Sequence, residues 1–236
     1  MRFRRIFCGC VCGWVAILLS PPALWAQAPA QSSSSSSATS SSKPVKESAS
    51  GGSTLDSGAV SNGVYRNPAF GFTCKIPDAW VLRTEEMNAR DDEGAKADSG
   101  KTAGDGKAGR VLLAAFSRPP EARAQDVNSS ILIAAESVAA YPGLKDAAQY
   151  FGPVTEIAKA RGFEVVEEPY EFAIGTKTVV RGDFQKDVGS RVMRQSTLVV
   201  LARGYVVSFT FIGGAEDEVE ELVQGLSFGA GSKATR

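Results

Sequence analysis

Several stretches of the 236-residue sequence carry residue types able to do chemistry. Cys8, Cys10 and Cys12 alternate like a thiolate metal or redox cluster. Asp91, Asp92 and Glu93 place three carboxylates in a row, an oxygen-ligand set for a divalent cation. Residues 94–102 read Gly-x5-Gly-Lys-Thr, with Lys101 where a phosphate-binding lysine would stand. Asn128-Ser129-Ser130 is a glycosylation sequon, relevant in a eukaryotic secretory pathway. Glu216, Asp217 and Glu218 form a second acidic run. Trp80, after a Pro-Asp turn, and Tyr205, on a strand face, are candidates to line a groove for a ligand or partner.

Most of these weaken once their surroundings are read. The cysteine triplet sits inside an apolar leader and is discarded with it. The Gly-x5-Gly-Lys-Thr stretch is one residue too long for a phosphate loop. It also lacks the preceding strand and following helix that would aim N–H groups at phosphate. The spacing at 91–93 is not that of a calcium-binding loop. The run at 216–218 opens a helix, where carboxylates complement the N-terminal dipole without a metal. The chain has no histidine. That removes the commonest general base, the Ser-His and Cys-His nucleophile pairs, and most zinc or copper sites. No residue is assigned a catalytic, cofactor-binding or metal-binding role, and no cofactor is expected.

The elements that must position these residues are legible from periodicity. Residues 70–76 alternate as a strand, ended by Pro77-Asp78, with 80–82 extending beyond the turn. In that alternation Cys74 shares a face with Phe70, Phe72 and Ile76, so it reads as a buried small hydrophobe. Residues 88–110 have no apolar period and read as a long mobile loop. Strands are predicted over 111–116 and 131–136. An amphipathic helix is predicted over 144–161, interrupted at Gly152-Pro153. Four strands follow, over 163–174, 176–185, 191–202 and 205–212. Pro169 marks the first as an edge or a bend, and Arg203-Gly204 makes the turn of the last hairpin. The last strand is apolar on both faces and is predicted to be central. Residues 216–226 close the domain as a helix. Strands, helix, antiparallel strands and helix together give an α+β fold: a mostly antiparallel sheet flanked by helices.

Bulk organisation is equally direct. Residues 1–26 have a basic start, a short apolar run, a proline pair and small residues at Ala26 and Ala28, the order of a secretory signal peptide. The apolar run is short for a bilayer span, so membrane contact is expected only transiently, through this leader. Residues 27–63 are rich in serine and form a disordered linker. The domain spans 64–228, and 229–236 are a disordered tail. The leader holds three arginines and no acid, which leaves 23 basic against 26 acidic residues. A weakly acidic surface gives no electrostatic reason to bind nucleic acid.

The stretch Asn67-Pro68-x-Phe70-Gly71-Phe72-x-Cys74-x-Ile76-Pro77-x-x-Trp80 resembles the opening of PsbP-like domains, the extrinsic photosystem II subunit family and its bacterial relatives. Tyr205-x-Val207-x-Phe209-x-Phe211, with the acidic helix up to Leu226-Ser227-Phe228, is similar to their close. The resemblance implies an α/β/α sandwich and a binding or assembly role; it carries over no active site and implies no photosystem role. The expected function is therefore an exported, non-catalytic binding or assembly module with an envelope protein as partner, periplasmic or secreted. The alternatives are a cell-envelope hydrolase using carboxylate or lysine chemistry, and a carrier of a small apolar ligand held between sheet and helix. Intact-mass measurement of exported material should show an N-terminus near Gln27 or Pro29; Met1 retained in a membrane fraction would mean an anchor.

Overall fold

The computed structural model describes residues 55–97, 109–122 and 126–229. The leader, residues 27–54 of the arm, residues 98–108 with Lys101, and the tail at 230–236 lie outside these described residues, as do the side chains of Asp92 and Glu93. The strands in chain order are β1 (Ala59–Ser61), β2 (Val64–Asn67), β3 (Phe72–Lys75), β4 (Val81–Leu82), β5 (Arg110–Phe116), β6 (Ser130–Ser137), β7 (Glu164–Ile174), β8 (Lys177–Val188), β9 (Arg191–Ala202), β10 (Tyr205–Gly213) and β11 (Leu226–Phe228). The helices are α1 (Thr84–Ala97), α2 (Phe151–Ala160) and α3 (Glu216–Gln224). The larger sheet runs β4-β5-β6-β10-β9-β8-β7, and the smaller runs β1-β2-β3-β11, with every pairing antiparallel. This is the α+β architecture that the pattern predicts.

β10 is central, as its two apolar faces require. Phe209 stands opposite Leu198 of β9 and Ile133 of β6. On one face, Val207, Phe209 and Phe211 join Tyr65, Phe72 and Cys74 of the smaller sheet and Val219, Leu222 and Val223 of α3 in one core. On the other, Val206 joins Val199, Phe184, Phe151 and Ala158 beneath α2. Arg203 and Gly204 have φ of 52° and 79°, the paired left-handed conformation that matches a two-residue turn to strand twist. The helix predicted from 144 begins at Phe151, preceded by short 3-10 turns, so Pro153 falls in its first turn, where a missing N–H costs nothing. β7 is the terminal strand, with two register breaks between Val165 and Tyr170, the second of which spans Pro169.

Two sequence expectations change. Residues 88–97, read as part of a loop, continue α1. This helix lies along the outer edge of β5 and is held there by polar contacts. Thr84 Oγ1 accepts from Ala114 N–H at 2.9 Å, and the Asn88 amide both accepts from Val111 N–H (3.0 Å) and donates to Val111 C=O (2.9 Å). An apolar period is not needed for such a helix, so its absence misled. The linker also ends earlier than Gly63. β1 pairs with β2, and Leu55 packs against the core. Tyr65 donates to the Ser57 carbonyl at 2.8 Å, and Asn67 Nδ2 to the Asp56 carbonyl at 3.0 Å. Among the described residues no helix is long and apolar enough to cross a membrane.

A chain cut to begin at Gly63 should melt below one beginning at Leu55. The cut strips acceptors from the buried Tyr65 and Asn67 groups, about 1–3 kcal/mol, or roughly 3–10 °C for a domain of this size. Equal midpoints in a thermal melt would show that residues 55–62 only rest on the surface.

Candidate functional site

The two residues proposed from sequence to line one groove lie apart. Val81, next to Trp80, pairs with Phe116, which is level with Ser130 and Ile212. Tyr205 stands at the other end of β10, about 23 Å away at ~3.3 Å per residue. Trp80 is half-buried against the core, the core-edge cap that such a tryptophan often makes. Tyr205 meets different neighbours. Its ring packs edge-on to Phe70 with centroids 5.8 Å apart. Phe228 lies close by, 6.1 Å from Phe72 and 5.7 Å from Phe209. Phe70, Tyr205 and Phe228 are each half-buried against the core that contains the wholly buried Phe72 and Phe209. The result is an aromatic crest at one end of the sandwich.

Phe70 is placed by a polar device. Asn67, 1 % exposed, accepts the Phe70 N–H on Oδ1 at 3.0 Å, and its own carbonyl accepts from Gly71 N–H at 2.9 Å. Gly71 takes φ +70°, a conformation costly for any residue with a Cβ. The Asn-Pro-x-Phe-Gly pattern therefore encodes a turn that lifts Phe70 out of the strand. Sequence alternation put Phe70 on the same buried face as Phe72 and missed this break. The signal was present in Asn67 and Gly71, an Asx-type acceptor followed by a left-handed position.

Other constellations are structural. The chain has a cavity of about 390 Å³ lined by Ser117, Ser129, Arg191 and Glu218, among others. Ser129 donates to Glu218 at 2.5 Å, and the second Glu218 oxygen accepts from Gly214 N–H at 2.8 Å. With both oxygens engaged and Ser129 4 % exposed, the pair staples the start of α3 to β6 rather than activating a nucleophile. The sequon is also tied down. Asn128 Oδ1 accepts from Ser117 Oγ (3.0 Å) and Arg118 N–H (3.2 Å), and Ser129 and Ser130 are buried. Glu136 is a buried carboxylate held by the hydroxyls of Tyr141 and Tyr150, the latter at 2.7 Å. Burial, reinforced by the Glu136 charge, pushes Tyr150 ionisation far upward. Among the described residues no three His, Cys, Asp or Glu side chains gather to hold a metal ion.

An apolar carrier would need room between sheet and α2. A Cβ at Gly182 would lie 2.6 Å from the Phe151 ring, so the seam is closed at that point. A second cavity, about 320 Å³, is open and rimmed by Lys145, Asp146, Glu171 and Lys177.

No protein-family model and no curated protein matches the chain. Solved structures do. The solution structure of cyanobacterial PsbP from Synechocystis is similar at 14 % identity over 77 % of this chain and 98 % of that one, TM-score 0.41. LpqN, involved in cell envelope biogenesis of Mycobacterium tuberculosis, is similar at 14 % identity over 67 % and 83 %, TM-score 0.33. The yeast Ran-binding protein Mog1p is similar at 12 % identity over 67 % and 90 %, TM-score 0.35.

Cys74 is 0 % exposed, and burial pushes its thiol from 9.0 up to about 12. Burial likewise pushes Tyr65 from 10.0 to about 12. In the unfolded chain both groups release protons at lower pH than in the fold, so the unfolded state binds fewer protons there and stability must fall as pH rises. The loss should begin near pH 9 and deepen towards 12. Below pH 9, Cys74 in folded protein should resist a thiol reagent that labels it at once in denaturant; rapid labelling of native protein would show that the core opens.

Proposed function

We propose that this chain is an exported PsbP-like module that acts by binding an envelope protein, with no turnover, and that the aromatic crest of Phe70, Tyr205 and Phe228 is its docking site. The crest is the observation that carries this reading. Large aromatics are enriched at protein interfaces, and tyrosine is among the side chains that concentrate binding energy there. They hold a defined geometry because Phe228 packs on Phe72 and Phe209 while Phe70 and Tyr205 pack on each other against the same core, so little side-chain freedom remains to be lost on docking. The absence of histidine and the commitment of both Glu218 oxygens to a helix staple disfavour hydrolysis. The signal-type leader supports export, with the periplasm or the medium as the destination.

The test is capture from the native envelope fraction by the full-length chain, compared with Tyr205→Ser and Phe70→Ser variants that keep the wild-type far-ultraviolet spectrum. A specific protein should be retained by the wild type and lost by the variants, with each truncation weakening Kd about thirtyfold, or about 2 kcal/mol. Equal capture by all three chains, or measurable hydrolysis of ester, peptide or glycan libraries by the purified protein, would overturn the reading.

A further inference from the structure

The end of the N-terminal arm and the turn that carries Phe70 share one side chain. Residues 55–58 run across the smaller sheet, where the Asp56 carbonyl accepts from Asn67 Nδ2 at 3.0 Å and the Ser57 carbonyl accepts from Tyr65 Oη at 2.8 Å. Asn67 Nδ2 also donates to Tyr65 Oη at 3.1 Å, so the two buried groups and the two arm carbonyls form one network. The other end of the same amide, Oδ1, holds the Phe70 N–H at 3.0 Å. Asn67 is 1 % exposed and Tyr65 1 %. Neither can turn to water for a replacement partner while the fold is closed, and a buried donor left unpaired is unfavourable.

We propose that residues 55–58 are a strap whose seating sets the Phe70 turn through the Asn67 amide. When the strap lifts, Nδ2 and Tyr65 Oη both lose an acceptor. The amide then gains by rotating towards incoming water, and that rotation withdraws Oδ1 from Phe70. The turn loosens, and the crest loses its fixed Phe70–Tyr205 contact. Tension or cleavage acting on the arm is thereby transmitted to the crest. The strap also fits closely. A Cβ at Gly58, whose φ is +66°, would lie 2.5 Å from the Arg66 carbonyl and 2.7 Å from Tyr65 Oη. A single methyl group is enough to unseat it. The functional weight of this coupling rests on the docking role proposed for Phe70, whereas the coupling itself is measured without any partner.

The experiment is amide hydrogen exchange on the full chain and on two variants remote from Phe70. Gly58→Ala unseats the strap by steric contact, and Tyr65→Phe removes the phenol that holds the Ser57 carbonyl, one of the strap's two buried anchors. Gly189→Ala serves as control, since Gly189 has φ +63° and nothing within 4 Å, so it adds backbone strain elsewhere without a clash. Amides of Ala59–Ser61, in the β1–β2 ladder that the strap leads into, report strap seating. Phe70 and Gly71 amides report the turn, and those of β6 and β10 report the whole domain. In both strap variants, the β1, Phe70 and Gly71 amides should exchange together, roughly five- to tenfold faster, with β6 and β10 unchanged and the control like wild type. Faster exchange in β1 with Phe70 and Gly71 still protected would overturn the coupling. So would uniform acceleration across the domain, or β1 amides that stay protected in both variants. Failure of envelope capture with this coupling intact would reject the docking site and leave the strap standing.

Discussion

The edge-on contact between Phe72 and Phe209, with centroids 4.8 Å apart at 83°, joins two sheets that share no backbone ladder. Each sheet satisfies its own hydrogen bonds, so their union depends on side chains alone. The smaller sheet is built from both ends of the domain, β1 to β3 from residues 59–75 and β11 from residues 226–228. It cannot close until α3 has turned back across the larger sheet and set Leu226 opposite Cys74. Phe72 and Phe209 are 2 % and 0 % exposed, and Phe228 seals the same group. A fold joined across such sequence distance has high contact order, and its assembly should be slow relative to a helical protein of the same length.

Where packing placed the chain, the sequence was legible. The two apolar faces of residues 205–212 identified a central strand, Pro169 narrowed its strand to an edge or a bend, and Arg203-Gly204 located a hairpin turn. In each case one local property, side-chain period or backbone freedom, restricts the possible solutions. Where polar contacts placed it, the sequence was opaque. α1 docks through Thr84 and Asn88 on backbone groups of β5, and the stretch before β1 is retained through the Asp56 and Ser57 carbonyls, which accept from Asn67 and Tyr65. Such contacts depend on which backbone group lies opposite, which periodicity does not record.

The candidate site divides along the same line. Tyr205 was visible as the first residue of an apolar strand face. Its neighbour was not Trp80, which belongs to the opposite end of the sandwich, but Phe70. Strand alternation buried Phe70 with Phe72, yet Gly71 at φ +70° and the Asn67 side chain interrupt the strand between them. Phe228 was read only as the close of the terminal helix segment, whereas α3 ends at Gln224 and Leu226–Phe228 form a strand. Its role follows from pairing with Phe72, a contact across more than half the chain.

Both edges of the larger sheet are closed to strand addition, which bears on how a partner could approach. On one side β4 covers only Phe116 and Ala115, and α1 takes over from there, with Asn88 occupying both polar groups of Val111. On the other side β7 carries Pro169, two breaks in register, and glutamates at 164, 167, 168 and 171. These are the features by which natural sheets prevent edge-to-edge association. Recognition through backbone pairing would have to undo a helix dock on one side or straighten bulges against four like charges on the other. Recognition by side chains at the end of the sandwich disturbs no ladder, because Phe70 lies in the turn between β2 and β3, Phe228 ends β11, and Tyr205 follows directly on a hairpin turn. Strand addition is thus opposed at both edges by the fold itself, and contact through the aromatic end meets no such obstacle.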